Sequence, residues 1–225
     1  MVGKNFLITT RYENIDPLHS FAKAFSEHVV LGHDGVATHG GHLFIAMTRN
    51  LYSALGHACD TVNRRLHDIE ERVFSGDERR MVAQLSQVGR IVHDFKQTLA
   101  PHEEMLKSLE PVGMRMFGPE FSYHVNSLIG SYERIERLLA NVRDSLHELR
   151  ETNNSLLSTK QNEIMKTFTI LAFFFLPLTF ITSIFSMNVS GLPVAGTPFD
   201  FWIIVGSMTT IVAGCYFYFR HKGWL

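Results

Sequence analysis

The sequence predicts a mainly α-helical membrane protein in which a long stalk helix runs on into the first of two membrane spans. Three observations support that fold class. Two apolar runs near the C-terminus, residues 167–185 (TFTILAFFFLPLTFITSIF) and 201–219 (FWIIVGSMTTIVAGCYFYF), are each about as long as a bilayer requires. Neither contains Asp, Glu, Lys, Arg or His, whereas almost all the charge of the chain lies at or before Lys166. No proline interrupts the helical pattern between Pro119 and Pro177. A buried hairpin in a soluble core is the alternative to two spans, but polar domains rarely enclose two such runs side by side.

Taken in order, Lys4 to Arg11 (KNFLITTR) reads as one short strand, Asp16-Pro17 as a turn, and Ser20 to Val30 as a helix. Next comes GHDGVATHGGH, a Gly/His loop with no helical period until Leu43. A helix is expected from Leu43 to Phe74, ended by Ser75-Gly76, and a second, capped by Asp77, to about Ala100. Pro101 punctuates, and His102 to Leu109 continues helically. The next helix begins after Pro119. Its Leu128, Ile135, Leu138, Val142, Leu146 and Leu149 recur mostly at threes and fours, which marks a face for packing on other helices. Run unbroken into the first span, this helix covers roughly 65 residues, about 100 Å at 1.5 Å per residue. The expected division is a mostly helical cytoplasmic domain with its stalk over 1–160 and a membrane hairpin over 161–225, with an outer loop at 186–200.

The flanking charges orient the hairpin. Lys160 and Lys166 precede the first span, Arg220 and Lys222 follow the second, and the connection SMNVSGLPVAGTPFD has neither Lys nor Arg. By the positive-inside rule both termini are cytoplasmic, as in a multi-pass protein of the cell inner membrane. Trp202 and Trp224 fit as anchors at opposite interfaces. The N-terminal MVGKNFLITT has no apolar core of a cleaved signal. Cys59 and Cys215 fall in different solvents, so no disulfide is expected. A net charge of -1 without a basic, aromatic-laced stripe argues against a nucleic-acid partner. There is also no phosphate loop, nucleophile elbow or zincin pattern, so no enzyme and no cofactor are expected.

One stripe of the long helix is not uniformly apolar. It reads Ser155, Ser158, Asn162, Met165, Thr169, Ala172, Leu176, Thr179, Ser183. Polar side chains within a span face protein or water. Either these hydroxyls bond back to their own helix or sit at helix contacts, or the stripe lines a pore. Two spans cannot enclose a channel, so a pore needs several copies, and each stripe residue then becomes a ring. Such rings suit Mg²⁺, which gives up its waters reluctantly and is better gripped through its hydration shell by neutral Asn and Thr oxygens. Met165 and Leu176 would form apolar constrictions that close by dewetting. A doubly charged ion moving inward gains about 4.6 kcal/mol per 100 mV. With no ionisable residue in the spans, passive influx is the simpler mechanism.

The run from Asn162 to Asn188 (NEIMKTFTILAFFFLPLTFITSIFSMN) resembles the CorA family of divalent-cation transporters. That family's first membrane helix ends in Gly-Met-Asn; here Met187 and Asn188 match, and Ser186 stands in place of the glycine. Lys166, Pro177, the Pro-Leu-Thr-Phe segment and the terminal Gly-Trp-Leu are also similar. The resemblance implies a homopentameric funnel, pore-lined by the first span, with an Asn188 ring receiving the hydrated ion at the outer mouth. It places Asn162 and Met165 in the inner pore and Leu176 and Thr179 at mid-membrane. The outer loop lacks the acidic residues of typical magnesium members and is closer to the zinc-associated ZntB branch. The family's α/β domain needs more chain than precedes the helices here; either the member is naturally short or the sequence lacks its front end, and a short, mostly helical domain is the favoured expectation. Mg²⁺ is the first expected ion, with Zn²⁺, Co²⁺ and Ni²⁺ behind it. A membrane-anchored scaffold or sensor without conduction is the reading from another class.

Weaker candidates remain. His33, Asp34, His39 and His42 suit Zn²⁺ or Ni²⁺ chemically, although flexible His-rich loops are often simply solvated. Glu148 and Glu151 would ring the stalk lumen if the stripe extends back. His57, His67, His93 and His147, and the acidic Asp68, Glu70 and Glu71, read as solvated helix faces.

Overall fold

A computed structural model describes residues 1–30, 39–187 and 199–224. Among these the chain is helical almost throughout: α1 (Asp16–Val30), α2 (Gly40–Phe74), α3 (Glu78–Leu99), α4 (His102–Phe117), α5 (Phe121–Phe185) and α6 (Asp200–His221). The expected stalk and first span are one element, since α5 runs for 65 residues with Pro177 inside it. The chain divides into two compact units, Met1–Asn154 and Ser155–Leu225.

The first unit is a helical bundle with a regular seam. Along α5 the buried residues are Phe121, Val125, Leu128, Tyr132, Ile135, Leu139, Val142, Leu146, Leu149 and Asn153. Their spacing alternates four and three without exception, a mean of about 3.5, the period of a coiled-coil seam. Helix α3 repeats it with Met81, Leu85, Val88 and Val92, and α2 with Leu66, Ile69 and Val73. Helix α1 packs on α2, α2 on α3 and α3 on α4. Gly76, at φ 103, occupies the left-handed backbone conformation that ends α2 and lets the chain turn into α3.

Several expectations change. The strand over Lys4 to Arg11 does not form, because a lone strand has no neighbour for its ladder. The segment folds on itself instead, with an isolated Val2–Leu7 bridge and Ile8 N–H bonded to the Met1 carbonyl at 2.9 Å. Asp16-Pro17 opens α1 rather than making a turn, since proline is tolerated in a first turn and an acidic residue there suits the helix dipole. Helix α2 starts at Gly40, before Leu43, as the N–H of Gly40 is held by the Lys4 carbonyl at 2.7 Å. Asp77 occupies the N-cap of α3 without a side-chain cap bond. Helix α4 passes through Pro111 to Phe117. Leu139, not Leu138, belongs to the seam.

Candidate ion pathway

The second unit consists of the membrane end of α5 and the whole of α6. Both helices are long and apolar enough to cross a membrane, and the apolar windows are unburied within the chain. The hairpin is closed at one end by aromatic side chains. Phe219, 4% exposed, meets Phe173 at 5.7 Å and Phe174 at 6.0 Å between ring centroids. Ile170, Phe174, Pro177, Ile181 and Ile184 are half-buried and form one row along α5.

The stripe lies elsewhere. All nine of its residues, Ser155 to Ser183, are exposed. At 100° per residue the centre of its membrane part, Met165 to Ser183, is about 140° around the helix from the half-buried row. The hydroxyls bond as helical threonines do: Thr169 Oγ1 donates to the Met165 carbonyl and Thr179 Oγ1 to the Phe175 carbonyl, each at 2.8 Å. A hydroxyl has one proton and two lone pairs. With its proton given to the backbone, each oxygen keeps acceptor capacity, which is the polarity needed to receive a hydrogen bond from water around a cation. Leu176 stands between them and Met165 one turn before Thr169, 70% and 58% exposed. Asn162 is exposed one turn before Met165.

At the far end of α5, Ser186 N–H bonds to the Thr182 carbonyl at 2.9 Å and Met187 N–H to Ile184 at 3.2 Å. The serine is thus held as an ordinary helical residue. Met187 is exposed, and Asn188 lies outside the described residues.

Of the weaker candidates, His33 and Asp34 also lie outside the described residues. His39 and His42 stack face to face, 4.0 Å between centroids at 19°, so their lone pairs, which lie in the ring planes, do not converge. Among the described residues no group of three His, Cys, Asp or Glu is placed to hold a metal ion. His124, unremarked in the sequence, meets His42 edge-on at 4.7 Å. Burial first, then the neighbouring His39 and His124, lower the His42 pKa against the opposing pull of Glu120. Glu151 lies 3.7 Å from His147 on an exposed face, and Glu148 lines a groove with His67 and Glu70. His57, His67, His93 and His147 are all exposed. Sequence reasoning missed the contact of Lys166 Nζ with the Trp224 ring, 5.8 Å from its centroid; the terminal Gly-Trp was the available signal.

Two helices with apolar stretches long enough to cross a membrane, the first with hydroxyl acceptors along the face turned away from its partner, are the framework of a two-span membrane protein. The chain belongs to the family described as CorA-like Mg²⁺ transporter protein, which it matches over residues 1–221. Members of that family are ion transporters rather than enzymes. The chain is 23% identical over 226 residues to the cobalt/magnesium transport protein CorA of Methanocaldococcus jannaschii, covering 100% of this chain and 70% of that protein. It is 27% identical to the cobalt/magnesium transport protein CorA of Thermotoga maritima (74% of this chain, 47% of that one). It is 26% identical to the divalent cation transporter CmaX of Pseudomonas aeruginosa (70% and 48%). The chain thus spans about half the length of the latter two relatives. The solved CorA magnesium transporter from M. jannaschii shares the fold, with a TM-score of 0.81 at 22% identity over 95% of this chain and 67% of that one.

Proposed function

We propose that this chain is one subunit of a homopentameric pathway that carries a divalent metal cation, Mg²⁺ first, passively across the cell inner membrane, with both termini cytoplasmic. The observation that supports this reading is the orientation of Thr169 and Thr179. Their oxygens lie on the face of α5 away from α6, with their protons already donated inward to the backbone. Rings of such oxygens receive hydrogen bonds from a cation's first water shell without stripping it, and they hold it weakly enough to release it. Asn188 forms the outermost ring and takes the hydrated ion first. Met165 and Leu176 supply the constrictions between polar rings.

Uptake of Mg²⁺ into proteoliposomes tests the proposal. Flux follows an imposed voltage and ignores an imposed proton gradient; strict dependence on the proton gradient overturns the passive mechanism. Asn188→Ala lowers flux at least tenfold. Equal flux in wild type and empty vesicles favours the non-conducting scaffold. The outer-loop segment NVSGLPVAG, with Asp200 as the nearest carboxylate, favours Zn²⁺ as the alternative cargo, and competition between Mg²⁺ and Zn²⁺ in the same vesicles decides between them.

A further inference from the structure

At the Lys-rich end of the hairpin, α6 closes with a tight chain reversal. Gly223 adopts φ +67, its N–H bonds to the Arg220 carbonyl at 3.1 Å, and the Trp224 N–H bonds to the Phe219 carbonyl at 3.0 Å. This is a Schellman ending, in which the left-handed glycine turns the next residue back onto its own helix. Trp224 accordingly stacks on Phe219 at 5.9 Å, and Lys166 Nζ from α5 sits over the Trp224 ring, 5.8 Å from its centroid. Beside this stack is a cavity of about 470 Å³, walled by Phe173, Gly214, Cys215, Tyr218 and Trp224, with Lys222 at its edge. A side chain at Gly214 would meet nothing within 4 Å, so the cleft is open at that point.

We propose that this cleft binds an anionic phospholipid, one acyl chain lying along Gly214 and Phe173 and the phosphate held by Lys222 and Lys166. The cleft has the volume of an ordinary small-molecule site and apolar walls suited to a hydrocarbon chain. Lys222 lines the cleft and Lys166 lies across the Trp224 ring that walls it, both at the ends of the spans, the level where lipid phosphates lie. Among the described residues no carboxylate ion-pairs with Lys166, Arg220 or Lys222; Arg220 has only the Tyr216 hydroxyl at 3.5 Å. Charge complementarity decides the occupant. Parallel copies of this chain would bring the same three cations to the same depth and add like charge, whereas anionic headgroups neutralise it. The site requires the hairpin to be in a membrane but is independent of conduction.

Native mass spectrometry of the full chain, purified in detergent and exposed to mixed micelles, tests this without measuring flux. Phosphatidylglycerol is retained in preference to phosphatidylcholine, and inorganic phosphate does not displace it. Lys166→Gln and Lys222→Gln each weaken retention about fivefold and the double variant about 25-fold. Gly214→Leu fills the cleft and removes the bound lipid while the helical circular dichroism is unchanged. The wild-type comparison of the two lipids stands whether or not a variant folds. Equal retention of phosphatidylcholine, displacement by phosphate alone, or undiminished retention in folded Gly214→Leu overturns the site. So does loss of oligomers in Gly214→Leu with lipid retention intact, which identifies the cleft as a contact between copies.

Discussion

Within the first unit the Tyr52 hydroxyl is hydrogen-bonded to Nδ1 of His102 at 3.1 Å, a bond that a neutral phenol and a neutral imidazole make in either tautomer of the ring. Burial, then Tyr132 nearby, push the Tyr52 pKa up from 10.0 to about 12, and burial lowers that of His102 below 6.5. The fold therefore favours the neutral form of both groups. On acidification the unfolded chain takes up the histidine proton first, so stability is full above pH 6.5 and falls as pH drops below it. In alkali the unfolded chain loses the tyrosine proton first, so stability falls between pH 10 and about 12. Thermal unfolding midpoints across pH 5 to 7.5 measure the first effect, and His102→Gln flattens that slope. Asn153 is the other conspicuous residue: it is 1% exposed, and among the described residues its Oδ1 has no hydrogen-bond partner. An unmet buried acceptor costs about 1–3 kcal/mol. Asn153→Leu keeps the seam and raises stability by about 1 kcal/mol in denaturant titration; a loss would assign the oxygen a partner in a neighbouring copy.

The helices themselves were the most legible elements, because long periodic runs bounded by Ser75-Gly76, Pro101 and Pro119 leave little choice of structure. What the sequence obscured was register. Leu138 and Leu139 are adjacent and identical in type, and only the unbroken alternation of threes and fours along α5 places Leu139 on the seam, 6% exposed. The strand over Lys4 to Arg11 failed for the opposite reason, since β-propensity is realised only beside a partner strand. Proline misled at Asp16-Pro17, where a first-turn position removes its penalty. The contact of α4 with α5 was equally unreadable. Gly113 is buried, and a Cβ there would overlap the ring of Phe121, itself 2% exposed, so the glycine permits close approach rather than special backbone angles. Gly113→Ala is expected to destabilise the first unit by about 1–3 kcal/mol through overpacking. Equilibrium unfolding checks this, and Phe121→Leu in the same chain restores part of the loss. Full stability in Gly113→Ala alone would mean that the ring moves aside freely.

For the whole molecule, the sequence could mark two spans and name the stripe but not say which way it points, because helical periodicity is relative until another element supplies a reference. Phe219 on α6 and Trp224 just beyond it supply that reference. The row Ile170, Phe174 and Ile181 is half-buried in the hairpin, which leaves Thr169, Leu176 and Thr179 on the side that α6 does not cover. A single chain gives that side no partner, so the pentamer proposal makes a directional claim about which residues of different copies meet. With Cys59 and Cys215 replaced by serine, a cysteine introduced at Thr179 is expected to cross-link between copies under mild oxidation. The products form a ladder in a denaturing gel, extending to five chains when combined with an amine cross-linker. Cysteine at Ile181, two residues away but turned toward α6, yields monomer only. Water-soluble thiol reagents should then modify position 179 and block Mg²⁺ flux while leaving 181 untouched. Cross-linking at 181 with silence at 179 would turn the stripe toward lipid, and the hydroxyls would be left with their backbone bonds as their only role.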